Sequence, residues 1–172
     1  MNIRIILFLI TTSLLVISKL ASNYTNVSPF IALMIVSAYF IENRQHLLIM
    51  VFISQLVSDI HYGFHSSNFF VYLSYFIMIS IIYIHQVELS IVSSLIKSIH
   101  SNIIFFFISN IGHFLTFNNT YSLTELTRLF IQGIPFGLNL FYSTIFFVLV
   151  IHAILAVSKI QPAFVRSARK IN

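Results

Sequence analysis

The chain contains no cysteine among its 172 residues. That absence excludes disulfides, thiolate catalysis, iron–sulfur clusters and cysteine zinc sites. Charge is nearly as scarce. Asp, Glu, Lys and Arg make up 8% of the residues, where a soluble domain carries roughly 25%. Only four residues are acidic, so paired carboxylates at helical spacing do not occur. Phosphate-binding glycine loops, HExxH and GxSxG are missing as well, and no catalytic constellation can be assembled. The expectation is that the chain is not an enzyme and holds no resident cofactor.

What is present is apolar: 58% of the residues are hydrophobic, and the mean hydropathy is +0.96. The apolar residues run continuously instead of alternating, which disfavours a transmembrane barrel and leaves helices. A spanning helix takes about 20 apolar residues to cross a hydrocarbon core roughly 30 Å thick. Six segments approach this, over residues 3–18, 29–41, 47–60, 69–84, 99–115 and 138–157. The expected fold is an all-α integral membrane protein, a six-transmembrane-helix bundle forming one domain over 1–157 with a basic tail at 158–172.

The segment boundaries follow local signals. Lys19 spoils a small-x-small cleavage pattern before Ala21, so 3–18 reads as a retained first helix and not a signal peptide. Pro29 suits the first position of the second helix. Lys97, His100, Ser101 and Asn102 interrupt the fifth segment, which puts its membrane core at 99–115, with Lys97 and His100 snorkelling to the interface. Residues 124–132 read as a separate short helix capped by Thr124. Gly133, Pro135 and Gly137 then read as a kink before the last span.

The net charge of +5 does not point to nucleic acid, because the cations are scattered at segment ends and in the tail. They instead orient the chain. Arg4, Arg44, Lys97, Lys159, Arg166, Arg169 and Lys170 fall on one side of a six-span topology, with Lys19 and Arg128 opposite. The positive-inside rule makes the first side cytoplasmic and holds both termini there, in a plasma (bacterial inner) membrane.

The first, third and fifth connections then face outward and collect the unusual residues. Candidate solute contacts are Asp59, His61, Asn110 and His113, with Tyr24, Tyr62 and Tyr121 as aromatic walls. Asp59 stands out because a carboxylate near a membrane segment is costly unless it is paired or functional. Its structural reading is a cap or a partner for Arg128. His61, His65 and His113 are weak candidates for a metal site, because Gly63 interrupts the first pair and a third ligand is hard to supply.

Several stretches carry a likeness: Asn26-Val27-Ser28-Pro29-Phe30-Ile31-Ala32-Leu33, Ala38-Tyr39-Phe40, Ser58-Asp59-Ile60 with Gly63-Phe64, the run from Phe106 through Ser109-Asn110-Ile111-Gly112-His113 to Leu115, Tyr121 and Ile134-Pro135-Phe136. In this order the chain resembles an uncharacterised family of small bacterial integral membrane proteins. Those proteins look like the substrate-binding (S) components of energy-coupling-factor vitamin transporters. The resemblance implies an S-component-like bundle with an outward cavity, a small vitamin-like solute and an energising transporter module as partner. Cobalamin is one implied ligand. Where some such proteins meet cobalt with a cysteine, this chain would need His61, His65 or His113. Thr11, Thr12 and Ser13 stand where an alanine stripe for the energising module would be expected. The function expected is therefore that of a binding or uptake component in the lipid bilayer. A structural or assembly subunit of a membrane complex is the alternative.

Overall fold

The structure, a computed structural model, describes residues 3–21, 27–41, 43–84, 89–117 and 121–158, with the backbone alone for residues 3–7. These residues form six helices and no strand: α1 (Ile3–Leu20), α2 (Phe30–Ser37), α3 (Arg44–Tyr62), α4 (Asn68–Ile84), α5 (Ile91–Phe117) and α6 (Leu123–Ser158). Tyr24 and the tail beyond Ser158 lie outside the described residues.

The helices make an arc in the order α1, α3, α4, α5, α6, and α2 sits inside it, touching all five others. Its sequence explains its place. Phe30, Ile31, Ala32, Met34, Ile35 and Val36 are all buried, so α2 is apolar all round and has no face to offer water. The core gathers around it from Leu15, Leu47, Met50, Tyr75, Met78 and Ile79.

By length and composition, α5 and α6 are the described helices able to cross a membrane, where six spans were expected. The shortfall has particular causes. The expected span over 29–41 is an eight-residue helix, about 12 Å long, followed by a turn. Helix α4 has 17 residues, and α3 is diluted by Ser54, Gln55, Ser58 and Asp59. Asn43 caps α3 by accepting from Gln45 N at 2.8 Å, so this helix starts before the expected residue 47. It ends at Gly63, whose φ of +102° few other residues adopt.

Two expected interruptions do not occur. Helix α5 runs unbroken for 27 residues, and several of its polar side chains satisfy themselves on its own backbone. Ser98 Oγ donates to the Ser94 carbonyl at 2.7 Å, and Asn102 Nδ2 to that of Ser98 at 2.8 Å. Helix α6 is likewise continuous for 36 residues with Pro135 inside it. The glycines there serve packing. A Cβ on Gly133 would lie 2.5 Å from Asn110 Oδ1, and one on Gly137 would lie 2.7 Å from the Phe106 ring. Spaced four apart, they let α5 come close, as small-xxx-small pairs do between membrane helices. Gly112 does the same for α4, against the Phe70 side chain. The cap of α6 is Ser122, not Thr124: its Oγ accepts from Glu125 N at 3.2 Å.

The burial pattern of α5 is inverted relative to a water-soluble helix. Its buried stripe is Ser94, Lys97, Ser98, Ser101 and Asn102, while Ile96, Ile99, Ile103 and Phe107 are exposed. Helix α6 does so in part, burying Ser143, Thr144 and His152 together with Leu140 and Val148, and exposing Tyr142, Phe146, Leu149 and Ile154.

Candidate functional site

At one end of the bundle, where α1 and α3 finish and α4 begins, the fold gathers a charged cluster. Asp59 is 5% exposed, and its two oxygens have separate donors. Gln55 Nε2 reaches Oδ1 at 2.6 Å from one turn earlier, and the Tyr72 hydroxyl reaches Oδ2 at 2.8 Å from α4. The partner expected for Asp59 on sequence grounds, Arg128, is elsewhere: it pairs with Glu125 on the exposed first turns of α6, with Nε 3.1 Å from Oε2.

The cation of this cluster is Lys19. Its ammonium donates to the Tyr75 hydroxyl at 2.7 Å and lies 4.4 Å from the centre of the Phe30 ring. It sits within the field of Asp59, and among the described residues the two form no direct ion pair. Two opposite charges are thus each held by tyrosine and aromatic neighbours. Gln55 Oε1, beside Asp59, is buried with no hydrogen-bond partner among the described residues. On sequence grounds Lys19 falls just past the first span, expected at 3–18, and no role was expected for it. The available signal was a lone lysine at the end of an apolar helix, close in sequence to Phe30.

The remaining expected contacts are more scattered. His61 and Tyr62 are exposed on the last turn of α3, ring centres 4.6 Å apart, with the Tyr62 hydroxyl donating to the Leu20 carbonyl at 2.9 Å. His65 is exposed beyond the helix end. Asn110 is half-buried against Gly133, its Nδ2 donating to the Phe106 carbonyl at 2.7 Å. His113 and Tyr121 are exposed, beside Phe117 and Phe114 respectively. Helices α3 and α5 do not touch, because α4 stands between them, so Asp59 and His61 do not share a cluster with Asn110 and His113. Among the described residues, no three His, Cys, Asp or Glu side chains are grouped to hold a metal ion.

A second polar group joins the turn after α2 to the start of α5 and the last part of α6. Tyr39, just after α2, donates to Ser93 Oγ at 3.0 Å and accepts from Ser94 Oγ at 3.3 Å. Ser94 Oγ is also 2.9 Å from Nε2 of the buried His152 on α6. His152 was missed on sequence grounds, although a titratable residue inside an apolar span is itself a signal. Lys97 corrects another expectation. It does not snorkel outward but is 6% exposed, its Nζ 4.2 Å from the centre of the Tyr39 ring.

These features define an all-helical protein that turns polar side chains inward on its two longest helices, each long and apolar enough to cross a membrane. The chain belongs to a family of unknown function (DUF6580), whose model matches residues 1–165. No curated protein and no solved structure matches it.

Proposed function

We propose that this is an integral membrane protein whose helices all lie in the bilayer, and that it binds a small polar solute at the Lys19–Asp59 end as a binding or uptake component. Helices α1, α3 and α4 are about 26–29 Å long, close to the roughly 30 Å of a hydrocarbon core. Helix α2 need not span, because the other five shield it from lipid. The inverted burial of α5 and α6 supports the same reading.

The observation that carries the binding role is the separation of Lys19 from Asp59. Desolvated opposite charges gain most by pairing directly. Here each is held instead by tyrosine, with an orphan acceptor, Gln55 Oε1, alongside. A solute carrying both a carboxylate and a donor group, as small vitamin-like molecules do, would bridge the two poles and satisfy Gln55. The likeness to S components supports a solute of that class and an outward-facing site. It also supports cytoplasmic termini and a partner that supplies energy. His61 and Tyr62 would rim the same end, and His113 and Tyr121 its α5–α6 side.

A thermal-shift screen of the purified protein in neutral detergent, against zwitterionic and vitamin-like solutes including corrinoids, tests this. At least one solute should raise the midpoint, and Asp59→Asn and Lys19→Met should each abolish that rise while the unliganded variants stay folded. His113→Ala measures whether the α5 rim takes part. The alternative of a structural or assembly subunit predicts no stabilisation by any solute and a co-purifying protein partner.

A further inference from the structure

Along α5, Ser98 Oγ donates to a carbonyl of its own helix, but Ser94 Oγ bonds away from the helix. It lies 3.3 Å from the Tyr39 hydroxyl and 2.9 Å from His152 Nε2. The Tyr39 hydroxyl is in turn 3.0 Å from Ser93 Oγ. Side chains from three parts of the fold thus form one file, His152–Ser94–Tyr39–Ser93. Its inner end is closed: Ser94 is fully buried and His152 is 3% exposed. Its outer end is open. Ser93 is half-buried and lines a cavity of about 490 Å³ between α4 and the start of α5. Ser90 and His100, both exposed, line the same cavity and give it a polar edge that can hold water.

Every link in this file both gives and takes a proton, so the same distances serve two directions. With a proton on Nε2, His152 donates to Ser94, Ser94 to Tyr39 and Tyr39 to Ser93, and the file runs outward. With Nε2 bare, Ser93 donates to Tyr39, Tyr39 to Ser94 and Ser94 to the ring, and it runs inward. Hydrogen bonds in such a chain polarise one another, which eases passage of a proton along it. Ionisable side chains held inside membrane proteins mark proton relays, and histidine is the side chain whose charge changes near neutral pH.

We infer that His152 is a proton-binding site reached from the α4–α5 cavity through Ser93, Tyr39 and Ser94. A hydronium ion at the cavity edge gives a proton to Ser93 Oγ as Ser93 passes its own to Tyr39, Tyr39 to Ser94 and Ser94 to Nε2. Only O–H and N–H bonds change: the hydronium ion becomes water and the imidazole becomes imidazolium. Release runs the same links outward. Helix α6 packs against α5 and α2. At this end those helices and the turn after α2 bring the titratable groups Lys97, His100 and Tyr39. The carboxylates of the described residues, Asp59 and Glu125, lie at the opposite end. The relay is separate from the Lys19–Asp59 cluster and does not depend on the role proposed for it.

The test is NMR of the full chain in neutral detergent with isotope-labelled histidine, the His152 signal being the one lost in His152→Gln. That signal should shift reversibly as pH falls through the histidine range while the protein stays folded. Saturation transfer from water should reach the His152 ring N–H, and Tyr39→Phe and Ser93→Ala should each slow it at least tenfold. Ser93→Thr, which keeps a hydroxyl, should exchange within twofold of the wild type. The exposed His61, at the other end of the bundle, should titrate alike in all of them. A His152 signal that moves only when the protein unfolds would overturn the inference. So would exchange undiminished in either Tyr39→Phe or Ser93→Ala, or slowed as much by Ser93→Thr as by Ser93→Ala. If these hydroxyls served packing alone, their removal would lower the unfolding midpoint and leave the exchange rate unchanged.

Discussion

Tyr72 donates its hydroxyl proton to Oδ2 of Asp59 at 2.8 Å, tying the start of α4 to the end of α3 around a carboxylate that is 5% exposed. A hydrogen bond to a buried charged group contributes more than a neutral one, and losing the donor leaves that charge short of a partner. Tyr72→Phe should therefore lower stability by about 2 kcal/mol. Tyr62→Phe, whose bond to the Leu20 carbonyl is exposed, should lose no more than about 0.5 kcal/mol. Chemical unfolding in detergent, read by circular dichroism, separates the two.

The glycines of α5 and α6 should be intolerant of a methyl group. At Gly112 the added Cβ would collide with Cβ of Phe70, an atom fixed by its own backbone, and at Gly137 with the Phe106 ring. Overpacking of this kind costs roughly 1–3 kcal/mol. Gly112→Ala should cost more than Gly137→Ala, because a ring can turn and a Cβ cannot. Gly63→Ala has open space around it, so any loss there reports the cost of φ +102° alone. Thermal unfolding midpoints of the three variants give the ranking.

Arg128 and Glu125 form an exposed ion pair, and removing the arginine should change stability by less than about 0.5 kcal/mol. Lys19→Ala removes both a hydrogen bond to Tyr75 and a contact with the Phe30 face, and should cost at least twice as much. If the two variants unfolded alike, the placement of Lys19 against Tyr75 and Phe30 would be wrong.

Because the native chain has no cysteine, single cysteines can report the topology directly. His65→Cys and Tyr121→Cys stand at the end where α3 and α5 finish, and Ser90→Cys at the end where α5 starts; all three native positions are exposed. In intact cells a membrane-impermeant maleimide should label the first two and spare the third until the cells are opened. Equal labelling of all three would remove the chain from the membrane.

Much of the architecture is written in local sequence. The helical class follows from apolar runs, a signal that acts over a few residues; the caps at Asn43 and Ser122 are equally local in their chemistry, yet the expected helix start at 47 and the expected cap at Thr124 both missed them. The stripe Ser94, Lys97, Ser98, Ser101 and Asn102 is also visible as a helical spacing. Taken locally, it reads as a break in a membrane segment, with its lysine turned outward.

Only the tertiary structure decided which face of that stripe is inside. Periodicity fixes that two faces differ, but the neighbours fix which one is covered. Here Tyr39 arrives from the turn after α2, and Thr144 and His152 from α6, to meet it. The same holds for α2, whose uniform apolarity suited a lipid-facing span until five helices closed around eight residues. It holds for Asp59 as well. The sequence alone marked it as costly, but the partners that make it tolerable, Gln55 and Tyr72, and the lysine left unpaired beside it were set by how α1, α3 and α4 pack.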